Sequence, residues 1–257
     1  MASAPQSTLP LFYNDLTPLN SRDHATWRTR VADKASWLVG QHAIPLTVEE
    51  FPQAQHFYPI VFSGGDNPVP LALMGLNEGV NAFVEDDGKV DDRAYIPAYV
   101  RRYPFLLARL SADKEELSLC FDPSSDLVGE FKDGEAIFED KEPTQRTKEM
   151  LEFCQRFEEA GRRTGAFIEE LKANDLLMDG EVAIRRDNEP DKPFLYRGFQ
   201  MINEEKLREV RGDKLRNWNR NGFLALVYAH LFSLDQMRVV FGRQVAQGKG
   251  PKVPANA

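Results

Sequence analysis

The densest set of chemically capable side chains lies between residues 95 and 105, where the sequence reads YIPAYVRRYPF. It brings the guanidinium groups of Arg101 and Arg102 next to the phenols of Tyr99 and Tyr103. Arginine binds carboxylates and phosphates through paired hydrogen bonds and stacks on aromatic rings. The segment therefore predicts a site for a small anionic or aromatic ligand. The alternative is that the arginines only brace the acidic turns that precede the segment.

Two residues elsewhere in the chain are candidates for the same site. Asp122 follows an apolar run and is predicted to cap a turn, so it would join the site only by lying beside one of the arginines. His24 is a side chain that titrates near neutral pH, and its alternative is a loop histidine held by the backbone. No catalytic residue is assigned. The candidate ligand-binding set is His24, Tyr99, Arg101, Arg102, Tyr103 and Asp122.

The two arginines are predicted to have different roles. Adjacent residues point in different directions on a helix and on a strand, so Arg101 and Arg102 cannot both reach one small target. One is expected to face inward, onto a carboxylate such as Asp122 or onto backbone carbonyls, and the other to face solvent. Which is the inner residue depends on whether residues 97–104 form a helix or a strand, and the sequence leaves that open.

Several common chemistries have no motif in this chain. We find no glycine-rich phosphate loop and no nucleophile elbow. The four histidines do not form the short spacings of zinc or iron sites, so neither a metal nor a cofactor is predicted. His230, inside an apolar helix, is predicted to be a hydrogen-bonded core residue. Cys120 and Cys154 sit in apolar runs and are predicted to be buried, reduced thiols.

Charge and hydropathy indicate a soluble cytoplasmic protein. The net charge of −8 and the pI of about 5.2 oppose binding to nucleic acid. The basic residues of 206–220 alternate with acidic ones, which is typical of a solvated helix surface. The first fifteen residues do not have the basic and apolar regions of a secretory signal. No unbroken apolar stretch approaches the length of a membrane span, so no span is predicted.

The first half of the chain has the pattern of short strands joined by turns. The apolar runs are 59–62, 69–76, 81–85, 105–110 and 117–121, with a weaker one at 135–139. The connections between 76 and 87 are too short for parallel crossovers, so this part is predicted to be an antiparallel meander.

The second half has mainly helical periodicity. A long helix is predicted from Pro143, at its first position, to about Ala173. A hairpin follows, with strands at 181–185 and 194–201 around a polar turn at 187–191. Further helices are expected at 203–210, with Asn203 as N-cap, at 222–234 and at 234–245. Strands first and helices later indicate an α+β fold, with one domain over 11–245 and flexible ends at 1–10 and 246–257.

Several of these segments resemble the SapC family. They are Pro18-Leu19-Asn20 with His24, Ile44-Pro45-Leu46, Tyr58–Phe62, Tyr95–Phe105 and Gly222–Leu231. The similarity extends over about residues 11–245, and the tyrosine and arginine string at 95–105 is its most specific part.

The resemblance implies a context rather than a reaction. Members of the family generally have no assigned activity, and the family is named from bacterial surface-array (S-layer) operons. Relatives lie near genes for TonB-dependent receptors and halogenase-like proteins. The resemblance therefore implies a bacterial binding or accessory protein linked to surface-layer or nutrient-uptake systems, with halogenase-like or uptake-system proteins as partners. The alternative is an enzyme or a small-anion-binding protein with dispersed site residues around 95–105.

Overall fold

The computed structural model describes residues 9–110, 116–186 and 189–250. Its strands, in chain order, are β1 (Thr17–Pro18), β2 (Arg28–Thr29), β3 (Ala43–Pro45), β4 (Ile60–Ser63), β5 (Pro70–Leu73), β6 (Phe105–Arg109), β7 (Leu117–Phe121), β8 (Val128–Gly129), β9 (Glu135–Ala136), β10 (Phe138–Glu139), β11 (Glu142–Pro143), β12 (Leu177–Arg186) and β13 (Glu189–Ile202). Its α-helices are α1 (Phe51–Ala54), α2 (Ala98–Arg102), α3 (Gln145–Ala173), α4 (Glu204–Arg208), α5 (Gly212–Asn221), α6 (Phe223–Ser233) and α7 (Gln236–Ala246). Short 3-10 helices cover Ser36–Leu38 and Val48–Glu50. The predicted α+β class is confirmed.

The chain divides into two compact units. The first contains Met1–Asp33 and Arg101–Glu158. Its antiparallel sheets have the orders β1-β7-β6, β8-β2-β9 and β10-β11. Phe105 and Phe121, which face each other in the register of β6 and β7, lie in a core that also contains Cys154 from α3. The apolar runs predicted at 105–110 and 117–121 therefore form the central hairpin of this unit.

The second unit contains Lys34–Val100 and Glu159–Ala257. Its antiparallel sheet has the order β12-β13-β4-β5-β3, so the late hairpin pairs with strands from the first half of the chain. His230 on α6 lies under this sheet and is fully buried. Its Nε2 accepts a hydrogen bond from the Ile202 N–H (3.1 Å), and its Nδ1 donates to the Ile60 carbonyl (2.8 Å). The prediction of a hydrogen-bonded core histidine is confirmed.

The predicted meander between 76 and 87 is wrong. In the run 81–85 the structure has only an isolated bridge between Val84 and Val90. The amide of Asn81 explains the difference, because its Nδ2 donates to the carbonyls of Leu38 (3.1 Å) and Gln41 (2.9 Å). These side-chain bonds tie the segment to residues 38–41. Its backbone bonds, from the Ala82 N–H to the Met74 carbonyl (2.7 Å) and in the Val84–Val90 bridge, do not add up to a strand.

The long helix begins two residues later than predicted. Pro143 lies in β11, and Thr144 takes the capping role, with its Oγ1 accepting from the Thr147 N–H at 3.4 Å. On the outer face Glu152 and Arg156, one turn apart, form an ion pair at 3.7 Å. Arg163 contacts Glu49, a carboxylate from a distant segment that helical spacing does not reveal.

The predicted hairpin is confirmed, with longer strands than the sequence indicated. β12 and β13 pair from Leu177 with Ile202 to Arg186 with Glu189, with register shifts after Gly180 and Ile184. The turn was predicted at 187–191, and residues 187 and 188 lie outside the described part of the chain.

The cap of α4 gives a test of local stability. Asn203 is its N-cap, as predicted, and its Oδ1 accepts from the backbone N–H groups of Glu205 (3.0 Å) and Lys206 (3.1 Å). Asn203→Ala leaves both donors without this acceptor and is expected to lower the free energy of unfolding by about 1 kcal/mol. Asn203→Asp keeps an acceptor at the same place and is the matched control in urea denaturation. Equal losses in the two variants would contradict the capping role.

Candidate functional site

The helix α2 decides the orientation of the two arginines. Residues 98–102 are helical, and the cis Tyr103–Pro104 peptide leads from them into β6. Arg102 is buried, with 7% of its surface exposed, whereas Arg101 is exposed. The prediction that one arginine faces inward and the other outward is confirmed, and Arg102 is the inner residue.

Arg102 packs against aromatic rings and a carboxylate of the first unit. Its Cζ lies 4.3 Å from the ring centroid of Phe157 and 6.0 Å from that of Tyr13. Its Nη1 is 3.6 Å from Oε1 of Glu158, so the two side chains form an ion pair. A guanidinium over an aromatic face is attracted by the ring quadrupole, and the attraction grows as water is removed. These contacts make Arg102 part of the packing between α2 and the middle of α3.

Arg101 lies on the outer side of the same short helix. Its Cζ is 5.4 Å from the ring centroid of Phe153, which is one turn before Phe157 on α3. The two arginines thus contact successive rings of one helix face, and Arg101 keeps its exposure to solvent. An exposed guanidinium beside an aromatic ring has the chemistry to bind an anion or to stack on a flat ligand.

Asp122 is fully buried and binds the chain's own backbone and hydroxyl donors. Its Oδ2 accepts from the Asn14 N–H at 2.7 Å, and its Oδ1 accepts from the N–H (2.8 Å) and the Oγ (2.7 Å) of Ser124. The predicted turn-capping role is confirmed. The inner arginine was predicted to face a carboxylate such as Asp122 or backbone carbonyls. A carboxylate does lie beside Arg102, but it is that of Glu158 and not of Asp122.

Tyr103 is buried next to this carboxylate. Burial raises the pKa of its phenol, the negative charge of Asp122 raises it further, and a hydrogen bond with Ser125 opposes both effects. Its ring meets those of Phe12 and Tyr13 edge to face, with centroids 5.9 and 5.3 Å apart. A phenol in this environment stays neutral at physiological pH and serves as a packing group.

His24 is held by its own loop. Its Nδ1 lies 3.2 Å from the backbone nitrogen of Asn20 and 3.1 Å from the Asn20 carbonyl oxygen. The imidazole is buried and packs edge to face on Trp27 and Phe121. Of the two interpretations of His24, the structure therefore agrees with the loop histidine held by the backbone. Within the described residues, no contact joins His24 to another member of the candidate set.

The structure brings together only part of the predicted set. Tyr103 and Asp122 are neighbours in the first unit, and Arg102 shares the Tyr13 ring with Tyr103. Tyr99 is buried in the second unit.

The sequence interpretation missed the N-terminal contribution. The Tyr13 hydroxyl donates to the Phe105 carbonyl at 2.7 Å, and Asn14 donates to Asp122. The aromatic pair Phe12-Tyr13 in an otherwise polar stretch was a signal that this segment packs.

The thiols of Cys120 and Cys154 are expected to be unreactive in the native protein. Burial raises the pKa of Cys154 to about 12, and burial also raises the pKa of Cys120. Both cysteines are free, as predicted. A thiol reacts as its thiolate, so labelling of the native protein by an aromatic disulfide near neutral pH is expected to be far slower than labelling in denaturant. Fast stoichiometric labelling of the native chain would contradict this.

Two other features bear on the predictions of metal and membrane. Among the described residues, no group of three or more His, Cys, Asp or Glu side chains is placed to hold a metal ion. The segment Phe223–Ala246 is long and apolar enough to cross a membrane by length and composition. Core helices of soluble proteins can have the same length and composition, and part of this segment is buried. The absence of a span therefore stays a prediction.

The comparison with protein families agrees with the resemblance seen in the sequence. The chain matches the SapC family over residues 19–239, which include α2, the buried Asp122 and most of both units. This chain belongs to the SapC family. No curated protein and no solved structure matches it.

Proposed function

We propose that this SapC-family chain is a binding or accessory protein whose recognition surface is centred on Arg101. The observation that supports the proposal is that the two candidate reactive groups, Asp122 and His24, form hydrogen bonds within the chain. Asp122 accepts three hydrogen bonds from Asn14 and Ser124, and His24 is bound by the Asn20 backbone. An acid or base in catalysis must reach the substrate proton directly or through one water. These two groups instead hold turns and the N-terminal segment in place.

The ligand class follows from the groups on the outer side of α2 and α3. Arg101 presents a permanently charged guanidinium next to the Phe153 ring. This combination favours a small anion, or a flat aromatic ligand that also carries a carboxylate. The alternative function, an enzyme with dispersed residues around 95–105, would require Asp122 or His24 to exchange its present partners for a substrate.

The cellular setting that we propose rests on the family resemblance. A cytoplasmic accessory protein of surface-layer or nutrient-uptake systems, with a halogenase-like or uptake-system partner, is consistent with what is implied for SapC relatives. The two free buried cysteines suit a reducing compartment. Cell fractionation with an antibody to the native protein tests the location, and recovery of most of the chain from the cell surface by a mild wash would contradict it.

A ligand screen tests the proposed activity. Thermal unfolding is measured with inorganic phosphate, acetate and L-tryptophan, and each compound is then recovered and analysed for chemical change. A ligand at one hundred times its Kd stabilises the native state by about 2.7 kcal/mol, so binding by a member of this class raises Tm. We expect at least one probe to raise Tm and to be recovered unchanged. No shift with any probe, or conversion of the bound probe, would contradict the proposal.

A further inference from the structure

The outer face of α6 and α7 is an apolar stripe exposed to solvent. Tyr228, Phe232 and Val239 share one side of the helix and are exposed by 42, 68 and 47% of their surfaces, and Val245, exposed by 52%, lies on the flank. The rings of Tyr228 and Phe232 stack on each other, with centroids 5.8 Å apart. Scattered exposed apolar residues are ordinary, but large apolar side chains that share one helical face mark an interaction surface.

The stripe has large side chains at one end and small ones at the other. The first half, on α6, carries Tyr228 and Phe232, whereas the second half, on α7, carries Gly242 and Ala246 at exposed positions. If a second copy of this stripe lies antiparallel to the first, the large end of each copy meets the small end of the other. Such a contact is self-complementary and closes with twofold symmetry.

Charge selects the register of this pairing. Asp235 lies at the middle of the stripe and Arg238 lies on its flank. Both side chains are exposed. Neither has an ion pair within the part of the chain that the structure describes. In an antiparallel pair, placing Asp235 level with Arg238 of the other copy also places Tyr228 level with Val245, because the helical rise is the same in both copies. Phe232 then falls between the levels of Val239 and Gly242.

We infer that the α6–α7 stripe is the interface of a symmetric homodimer, held by two reciprocal pairs of Asp235 and Arg238 across stacked large and small residues. A lipid surface fits the stripe less well. The chain has a net charge of −8, and the carboxylate of Asp235 lies within the apolar face, where an anionic bilayer would repel it. This inference does not depend on the proposed function.

The full-length chain tests the inference by its mass in solution. Sedimentation equilibrium over a wide range of concentration is expected to give twice the chain mass of 29.2 kDa at high concentration. Phe232→Ser is expected to give the chain mass throughout, with an unchanged circular dichroism spectrum because the side chain is mostly exposed. Val31→Ser, at an exposed valine of the first unit, is the control and is expected to leave the mass of the wild type.

Charge reversal distinguishes this interface from any other apolar contact. Asp235→Arg alone and Arg238→Asp alone are expected to weaken the dimer, and the double variant is expected to restore it. A wild type that stays at the chain mass, a dimer that survives Phe232→Ser, or a double variant no better than the single ones would overturn the inference. Binding of the monomeric wild type to phosphatidylcholine vesicles would overturn it in favour of a lipid surface.

Discussion

Arg102→Ala is expected to lower the free energy of unfolding by about 2–3 kcal/mol. The guanidinium is buried between the Phe157 ring and the Glu158 carboxylate, so its removal leaves a space against the ring and a carboxylate without its partner. Breaking a fully buried pair costs about 3–5 kcal/mol. The Glu158 side chain is 37% exposed and is still partly hydrated, which lowers the expected loss. Urea denaturation followed by circular dichroism measures it.

Arg101→Ala is the matched control, because it makes the same substitution at the neighbouring residue. Arg101 is exposed, and its contact with Phe153 is longer, at 5.4 Å. An exposed interaction of this kind contributes about 1 kcal/mol or less. One urea midpoint should therefore fall steeply while the other barely moves. Equal shifts in the two variants, whether large or small, would contradict the division of roles between them.

The second large effect is a loss of stability in mild acid that comes from His230. Burial lowers the pKa of this imidazole to about 4, against an ordinary value of 6.5, and the hydrogen bond to Ile60 opposes part of that shift. In the unfolded chain the His230 imidazole takes up a proton below about pH 6.5, whereas in the folded chain it does not do so until about pH 4. The folded state therefore loses stability as the pH falls through this window. One pKa unit corresponds to 1.36 kcal/mol, so the loss approaches about 3 kcal/mol.

Carboxylates also titrate at the acid end of the window. The contribution of His230 is therefore isolated by comparing how steeply the free energy of unfolding changes with pH in the wild type and in a variant without this imidazole. His230→Gln removes the titration, so its free energy of unfolding should fall less than that of the wild type between pH 6.5 and 4.5. His56→Gln, at an exposed histidine, is the control and should follow the wild type. A His230→Gln profile parallel to the wild type would show that the imidazole is not buried in its neutral form.

The fold could be predicted as far as local pattern determines it. Apolar runs bounded by turn residues gave β4 and β5, and helical spacing gave most of α3. The run at 81–85 is also bounded by turn residues, yet the Asn81 amide binds the carbonyls of Leu38 and Gln41, about forty residues away in the chain. A side chain that bonds at such a distance leaves no periodic signal.

The candidate site shows the same limit. That the two arginines diverge follows from backbone geometry alone, but the identity of the inner one required knowing that residues 98–102 are helical. The prolines that flank this segment are compatible with a helix or a strand. The Asn14 N–H that binds Asp122 and the Tyr13 hydroxyl that binds the Phe105 carbonyl come from 108 and 92 residues away. No spacing rule connects them.

The central claim is that Arg101 binds the ligand while Asp122 holds the fold. It is tested most directly by measuring Tm, with and without the best probe of the screen, for Arg101→Ala and Asp122→Asn side by side. Asp122→Asn replaces an acceptor that is bound to three donors, so its Tm should be lower without ligand while the ligand-induced rise is retained. Arg101→Ala should keep the Tm of the wild type and lose the rise. The opposite result, with the rise lost in Asp122→Asn at an unchanged Tm and retained in Arg101→Ala, would contradict the account.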